Sequence, residues 1–106
     1  MMTAPLPDDE CKRHDALRRY HILDTLPEQE FDDIALLASH ICGTPIALIS
    51  LVDQDRQWFK AKVSVTATET SREIAFCAHA ILESNLMIVP DALADDRFAT
   101  RPLQNR

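Results

Sequence analysis

The fold is decided by residues 44–60, which read Thr-Pro-Ile-Ala-Leu-Ile-Ser-Leu-Val-Asp-Gln-Asp-Arg-Gln-Trp-Phe-Lys. In an extended strand, successive side chains point to opposite faces. Both faces of this stretch are apolar: Ile46, Leu48 and Val52 share one face with Ser50, and Ala47, Ile49 and Leu51 share the other. A strand with two apolar faces is typical of a sheet that is covered on both sides.

The residues after this strand predict a hairpin. Asp53-Gln54-Asp55 has turn chemistry, and residues 56–63 return in extended character with Trp58, Phe59 and Val63. A hairpin with two apolar faces requires helices above and below it. We therefore expect the strand at 46–52 to be central in its sheet.

Length and composition limit the possible classes of protein. With 106 residues, 46% apolar and 26% charged, the chain has the composition of one ordinary globular domain. A net charge of −6 disfavours nucleic acid and anionic membrane as partners, and the longest apolar run is too short to insert into a membrane. The N-terminus lacks the features of a signal peptide, and three cysteines fit a reducing compartment, so we expect a cytoplasmic protein.

Two helices are predicted before the hairpin. The first, residues 8–22, has only Leu17 and Tyr20 on a sparse apolar face, so we expect it to pack against a partner. A capping box at Thr25-Leu26-Pro27-Glu28 predicts the start of the second helix. Its apolar residues follow at helical spacing: Phe31, Ile34, Leu37, Ala38 and Ile41. Gly43, the only glycine, is predicted to end it in a left-handed conformation.

After the hairpin, residues 64–70 form a polar connector, and a second capping box at 70–73 predicts a helix over 71–84. A short buried strand is predicted at 86–89, followed within 91–100 by a turn and a short helix capped near Asp95. The last residues, 101–106, carry no structural signal. Three strands make a poor sheet, so the chain reads as part of a larger domain.

Several motifs, in order, resemble the front part of a GAF domain, in particular the subtype found in bacterial sensor histidine kinases and diguanylate cyclases. The resemblance covers roughly residues 17–98. It is carried by the residues at 17–32, by Ile41-Cys42-Gly43-Thr44-Pro45 with the strand to Asp53, by Arg56-Gln57-Trp58-Phe59-Lys60, by Arg72-Glu73-Ile74-Ala75-Phe76-Cys77-Ala78-His79-Ala80-Ile81, by Val89-Pro90-Asp91-Ala92 and by Asp95-Asp96-Arg97-Phe98.

The resemblance implies an α+β fold, a GAF-like antiparallel sheet flanked by helices on both sides and truncated before the C-terminal strands. Residues 1–26 would form an N-terminal lead and signalling helix, and 27–106 an incomplete GAF domain. The implied function is a non-catalytic sensory module that binds an unidentified small ligand, acts as a homodimer and passes a signal through helix 8–22 to an output domain. The ligand-binding residues would be Ser50, Trp58, Phe76, Cys77 and His79; no cofactor can be named.

The main alternative is a small thiol enzyme of the free methionine sulfoxide reductase type, since that enzyme shares the fold. Cys77 would be its nucleophile, but it falls on the apolar stripe of the predicted helix, and burial raises the pKa of a thiol. No Cys-x-x-Cys pair is present. A bilin-bearing photoreceptor is disfavoured because Ala78 separates Cys77 from His79. A third reading is a fragment whose exposed sheet edge makes it dimerise or aggregate.

Other chemical readings have simpler structural alternatives. The pairs His40-x-Cys42 and Cys77-x-His79 contain metal-ligand types, but helical residues two apart point about 200° away from each other, so we expect no metal. His79 is either a pocket residue or a partly exposed ring paired with Glu83. The acidic residues around Asp95 are better explained by side-chain caps and an ion pair with Arg97 than by a divalent ion.

Overall fold

The structure, a computed structural model, describes residues 2–98, and its core is a three-stranded antiparallel sheet. Strand β1 (Ala47–Val52) pairs with β2 (Arg56–Val63), and β2 pairs with β3 (Glu69–Ser71). Within residues 2–98 the helices are α1 (Glu10–Arg19), α2 (Gln29–Cys42) and the short α3 (Phe76–Ala80), with a 3₁₀ turn at Arg72–Ile74. The α+β class predicted from the sequence is confirmed.

The order of the sheet corrects one prediction. The central strand is β2, and β1 lies at an edge of the sheet that residues 2–98 form. Residues 69 and 70, expected to end a polar connector, and Ser71, expected to begin a helix, instead pair with the first half of β2. In the described chain, residues 86–89 form no strand and are not buried as predicted. Leu86 and Ile88 are 85% and 70% exposed.

A β-bulge interrupts the hairpin at Lys60. Ile49 pairs with Ala61 and Ser50 pairs with Phe59, so Lys60 is the extra residue on β2. Such an insertion breaks the alternation of faces and re-aims a side chain. All five residues from Gln57 to Ala61 are buried, which fits the central strand of a sheet that is packed on both faces.

Helix α2 ends as predicted but begins and faces differently. Gly43 has φ +63°, the left-handed cap that glycine adopts most readily. The capping box is wrong: the residue before the helix is Glu28, which makes no side-chain cap, and the Thr25 hydroxyl donates to Ile22 O instead. The apolar stripe does not lie in the core, since Leu37 and Ile41 are 58% and 74% exposed, while Ala35 is buried.

The helix predicted over 71–84 is replaced by two shorter pieces. Pairing with β2 holds residues 69–71 extended, and the Ser71 hydroxyl then accepts Glu73 N–H at the start of the 3₁₀ turn. Ala75 is again extended (φ −92°, ψ 128°), and α3 follows for five residues only. In this segment strand pairing overrides a local capping signal.

The C-terminal part of the described chain is a series of turns without the predicted short helix. The Asp91 and Asp95 side chains accept the backbone N–H groups of Leu93 and Arg97, and Arg97 also forms an ion pair with Asp95 at 2.8 Å. The caps and the ion pair predicted for this segment are therefore confirmed. The part of those sequence predictions that concerns residues 99–106 lies outside the described residues.

Candidate functional site

Four of the five predicted ligand-binding residues lie together on the face of the sheet that α3 covers. Phe76, Cys77 and His79 belong to α3, and Cys77 forms a hydrogen bond with Ser50 of β1. The ring of Phe98 lies 4.2 Å from that of Phe76 and 4.9 Å from that of His79, measured between centroids. We call this side of the sheet the α3 face.

The fifth predicted residue, Trp58, lies on the opposite face. It pairs in register with Leu51, the neighbour of Ser50 on β1, and directly paired residues share a face. Its side chain helps to line a groove of about 540 Å³ together with Thr25, Pro27 and Lys60. The structure thus separates Trp58 from the other four residues by the thickness of the sheet.

Cys77 has the electrostatics of a structural thiol. Burial raises the pKa of Cys77, and the hydrogen bond with Ser50 offsets only part of that rise. The thiolate is the nucleophilic form of cysteine, so a raised pKa makes the side chain less reactive near neutral pH. Cys11 and Cys42 are exposed. Within residues 2–98 no three His, Cys, Asp or Glu side chains are grouped so that they could hold a metal ion.

One of the two predictions made for His79 from the sequence is wrong. His79 is 5% exposed, so it is not the partly exposed partner of Glu83 that helical spacing predicted. Its Nε2 lies 2.9 Å from the carbonyl oxygen of Met2, and Met2 N–H in turn donates to Arg97 O at the same distance. The N-terminal segment therefore runs across the outside of His79.

The α3 face also contains a buried acceptor that was not among the residues predicted from the sequence. Gln57 is 7% exposed, and its Oε1 has no hydrogen-bond partner among the described residues. Gln57 pairs with Val52, which shares a strand face with Ser50, so the three lie on the same side of the sheet. An unpaired buried acceptor costs about 1–3 kcal/mol.

Two arginines clamp one carboxylate where α1 meets the body of the protein. The Glu10 carboxylate accepts from Arg72 Nη1 and Nη2 at 2.6 and 3.1 Å, and from Arg13 Nε and Nη2 at 2.9 and 3.0 Å. These hydrogen bonds, first that from Arg72 and then that from Arg13, lower the pKa of Glu10 to about 2. Arg13 Nη1 also donates to Val52 O at 2.6 Å.

A second ionic group lies next to the first, on the turn between β1 and β2. Asp53 Oδ1 is 2.7 Å from His14 Nε2, and Asp53 Oδ2 accepts from Arg56 Nε at 3.0 Å. Burial raises the pKa of Asp53, but hydrogen bonds from Arg56, the backbone of Gln54 and His14 together outweigh it and bring the pKa to about 2. Arg56 binds Asp24 through both terminal nitrogens, which raises its pKa.

The sequence carries only part of the signal for these ion pairs. The spacing of Glu10 and Arg13 is visible on a helix. Arg72, however, is 62 residues from Glu10 and sits inside a motif that looked like a helix start. Charge pairs at that separation leave no periodic pattern in one sequence.

Lys60, the bulge residue, fixes the connection between α1 and α2 to the sheet. Its side chain has no exposed surface, and Nζ donates to Thr25 Oγ1 and Leu26 O, each at 2.7 Å. Glu28 lies 2.6 Å from the same nitrogen, so each of the three ammonium N–H groups has a partner. This lysine is structural.

The chain is similar in sequence to part of a known signalling enzyme. No family model matches it, so the GAF resemblance stays a prediction. It is 38% identical over 102 residues to the cyclic di-GMP phosphodiesterase PA2567 of Pseudomonas aeruginosa. The match takes in 96% of this chain but only 17% of that protein. In the described part of the chain, no helix is both long and apolar enough to cross a membrane.

Proposed function

We propose that the chain is a non-catalytic sensory or regulatory module of a bacterial signal-transduction protein, with a GAF-like fold. The observation that carries this proposal is the match to PA2567: a domain-sized stretch aligns with a small fraction of a much longer cyclic di-GMP phosphodiesterase. A piece of that size is typical of a regulatory domain attached to a separate output domain. The chain accordingly works in cyclic di-GMP signalling or a closely related pathway.

The ligand side of the module is the α3 face. Ser50, Phe76, Cys77 and His79 meet there, and Gln57 adds a buried oxygen without a donor. A small molecule that offers an N–H or O–H group to Gln57 would satisfy it. Trp58 lies on the opposite face of the sheet, where it lines the groove on the α2 side.

The raised pKa of Cys77 argues against the thiol-enzyme alternative. A reductase nucleophile needs a depressed pKa, and the pKa of Cys77 is raised by burial. In the function we propose, the chain itself performs no chemistry, and its ligand acts by shifting the balance between two conformations. Helix α1 carries that shift to the output domain.

The module works as a homodimer, and the exposed apolar residues of α2 are its contact surface. Ile34, Leu37 and Ile41 are 56%, 58% and 74% exposed and recur at the spacing of a helix–helix seam. Leu37→Glu is expected to shift the protein to monomer in sedimentation experiments, whereas Leu86→Glu, at a more exposed site outside α2, leaves the mass unchanged. A wild-type monomer at all concentrations would contradict this part of the proposal.

A chimera tests the regulatory role. The matched segment of PA2567 is replaced by this chain, and hydrolysis of cyclic di-GMP is measured for the chimera and for the isolated chain. We expect activity in the chimera only, with His79→Ala changing its rate and Leu86→Ala, at a site 85% exposed, leaving it unchanged. Hydrolysis by the isolated chain, or identical rates for all chimeras, would refute the proposal.

A further inference from the structure

The N-terminal arm, residues 2–19, lies on the protein without contributing to its core. No residue of this arm is buried in the described structure. The specific contacts that join it to the rest of the chain are polar: Glu10 with Arg72, Arg13 with Val52 O, His14 with Asp53, and Met2 with Arg97 and His79. Such an arm can leave without opening a cavity in the core.

The receiving side of the main contact is held in place independently of the arm. Arg72 follows β3 directly, and its Nη1 donates to the backbone carbonyls of Asp53 at 3.0 Å and Gln54 at 3.4 Å. The side chain is 9% exposed and presents its two terminal nitrogens to Glu10. Arg72 therefore keeps its position on the β1–β2 turn when Glu10 withdraws.

The arm also contacts His79 of the α3 face and lines a cavity beside Arg72. The Met2 carbonyl caps His79 Nε2 at 2.9 Å, and residues Thr3, Ala4 and Leu6 form one wall of a cavity of about 360 Å³ that Arg72 also lines. Undocking of the arm would thus uncover a buried guanidinium and a buried imidazole together. Both are groups that bind anions or hydrogen-bond acceptors once they are free.

We propose that residues 2–19 form a releasable arm, latched by the Glu10 carboxylate on Arg72, whose undocking exposes Arg72 and His79. The latch makes α1 a two-position element, docked or free. This inference goes beyond the proposed function because it requires neither a ligand nor an output domain. It can fail while the regulatory role holds, and the reverse is also true.

Hydrogen exchange of the full chain, read by mass spectrometry, tests the latch. Glu10→Gln is compared with wild type and with Asp15→Asn, which removes a charge from the exposed Asp15–Arg19 pair of the same helix. In Glu10→Gln we expect exchange of the α1 amides to rise roughly tenfold to a hundredfold, because a charge-assisted bidentate pair is lost. In the wild type and in both variants, the α1 amides should open at a lower free energy than the β2 amides, which open only with the whole domain.

Two outcomes would overturn the proposal. Unchanged exchange in α1 of Glu10→Gln means that the carboxylate is not the latch. Equal opening free energies for the α1 and β2 amides, in the wild type and in Glu10→Gln, mean that the arm unfolds only with the whole domain and is not a separate unit. Arg13→Met serves as a second variant: it breaks the contact with Val52 O and the two Arg13–Glu10 hydrogen bonds but leaves the Arg72–Glu10 pair, so a smaller rise in α1 exchange is expected.

Salt provides a measurement without any substitution. At about 1 M ionic strength the screening length falls to roughly 3 Å, so the partly exposed ion pairs of the arm weaken. Exchange in α1 of the wild-type chain should then accelerate. Salt-independent exchange in α1 would contradict an ionic latch.

Discussion

The acid dependence of stability is the sharpest consequence of the Glu10 clamp. The folded pKa of Glu10 is about 2, against 4.5 for the free side chain. A group whose pKa is lowered by folding stabilises the native state above its unfolded pKa, and this contribution disappears as the pH falls through the folded pKa. Glu10 should therefore stabilise the protein fully above about pH 5 and very little near pH 2.

The size of the effect follows from the shift. At about 1.4 kcal/mol for each pKa unit, the lowered pKa corresponds to roughly 3 kcal/mol at neutral pH and roughly 1.5 kcal/mol at pH 3. The Glu10 and Arg72 side chains are 15% and 9% exposed, so solvent screens the pair in part. We expect Glu10→Gln to lower the free energy of unfolding by about 2 kcal/mol at pH 7.

Chemical denaturation at pH 7 and pH 3 measures this difference directly. The gap between wild type and Glu10→Gln should shrink by about half between the two pH values. Asp15→Asn serves as the control, because its ion pair is exposed at both ends and contributes little. A gap that is equal at both pH values would show that the carboxylate charge is not the stabilising group, and would refute the reasoning.

Three further predictions concern the sheet. Lys60→Met should lower the free energy of unfolding by about 2 kcal/mol, because it leaves the Leu26 carbonyl without its donor. Lys62→Met, at the exposed end of β2, should change the free energy of unfolding by less than about 0.5 kcal/mol. Equal effects of the two substitutions in urea unfolding would contradict a structural role for Lys60. Gln57→Met should raise the free energy of unfolding by about 1 kcal/mol, since it removes an unpaired buried oxygen, and a destabilised variant would indicate a bond to ordered water. Cys77 should react with a thiol reagent at neutral pH far more slowly than the two exposed cysteines, until denaturant is added; equally fast labelling would revive the thiol-enzyme alternative.

The sequence predicts those features that depend on near neighbours. The hairpin follows from alternation around a polar turn, and the left-handed end of α2 follows from Gly43. The raised pKa of Cys77 follows from an apolar neighbourhood. Each of these rests on residues within one turn or one strand pair, where periodicity carries the information.

Other features depend on partners far along the chain and could not be predicted. The capping signal at 70–73 predicts a long helix, but residues 69–71 pair with β2 as a strand. The bulge at Lys60 changes which residues share a face, and no local pattern marks it. Four of the five site residues predicted from the family resemblance lie together on the α3 face, but Trp58 lies on the opposite face. Arg72 was predicted to be part of a helix.

Chemical modification of Lys60 can report whether the connection before α2 is docked on the sheet. Its ammonium group is enclosed, with all three hydrogens engaged, so amine-reactive reagents and trypsin have no access to it in the folded state. Exposed lysines such as Lys62 remain open to both. Acylation at Lys60 therefore marks molecules in which the connection before α2 has come away from the sheet, and mass spectrometry of one peptide can count them.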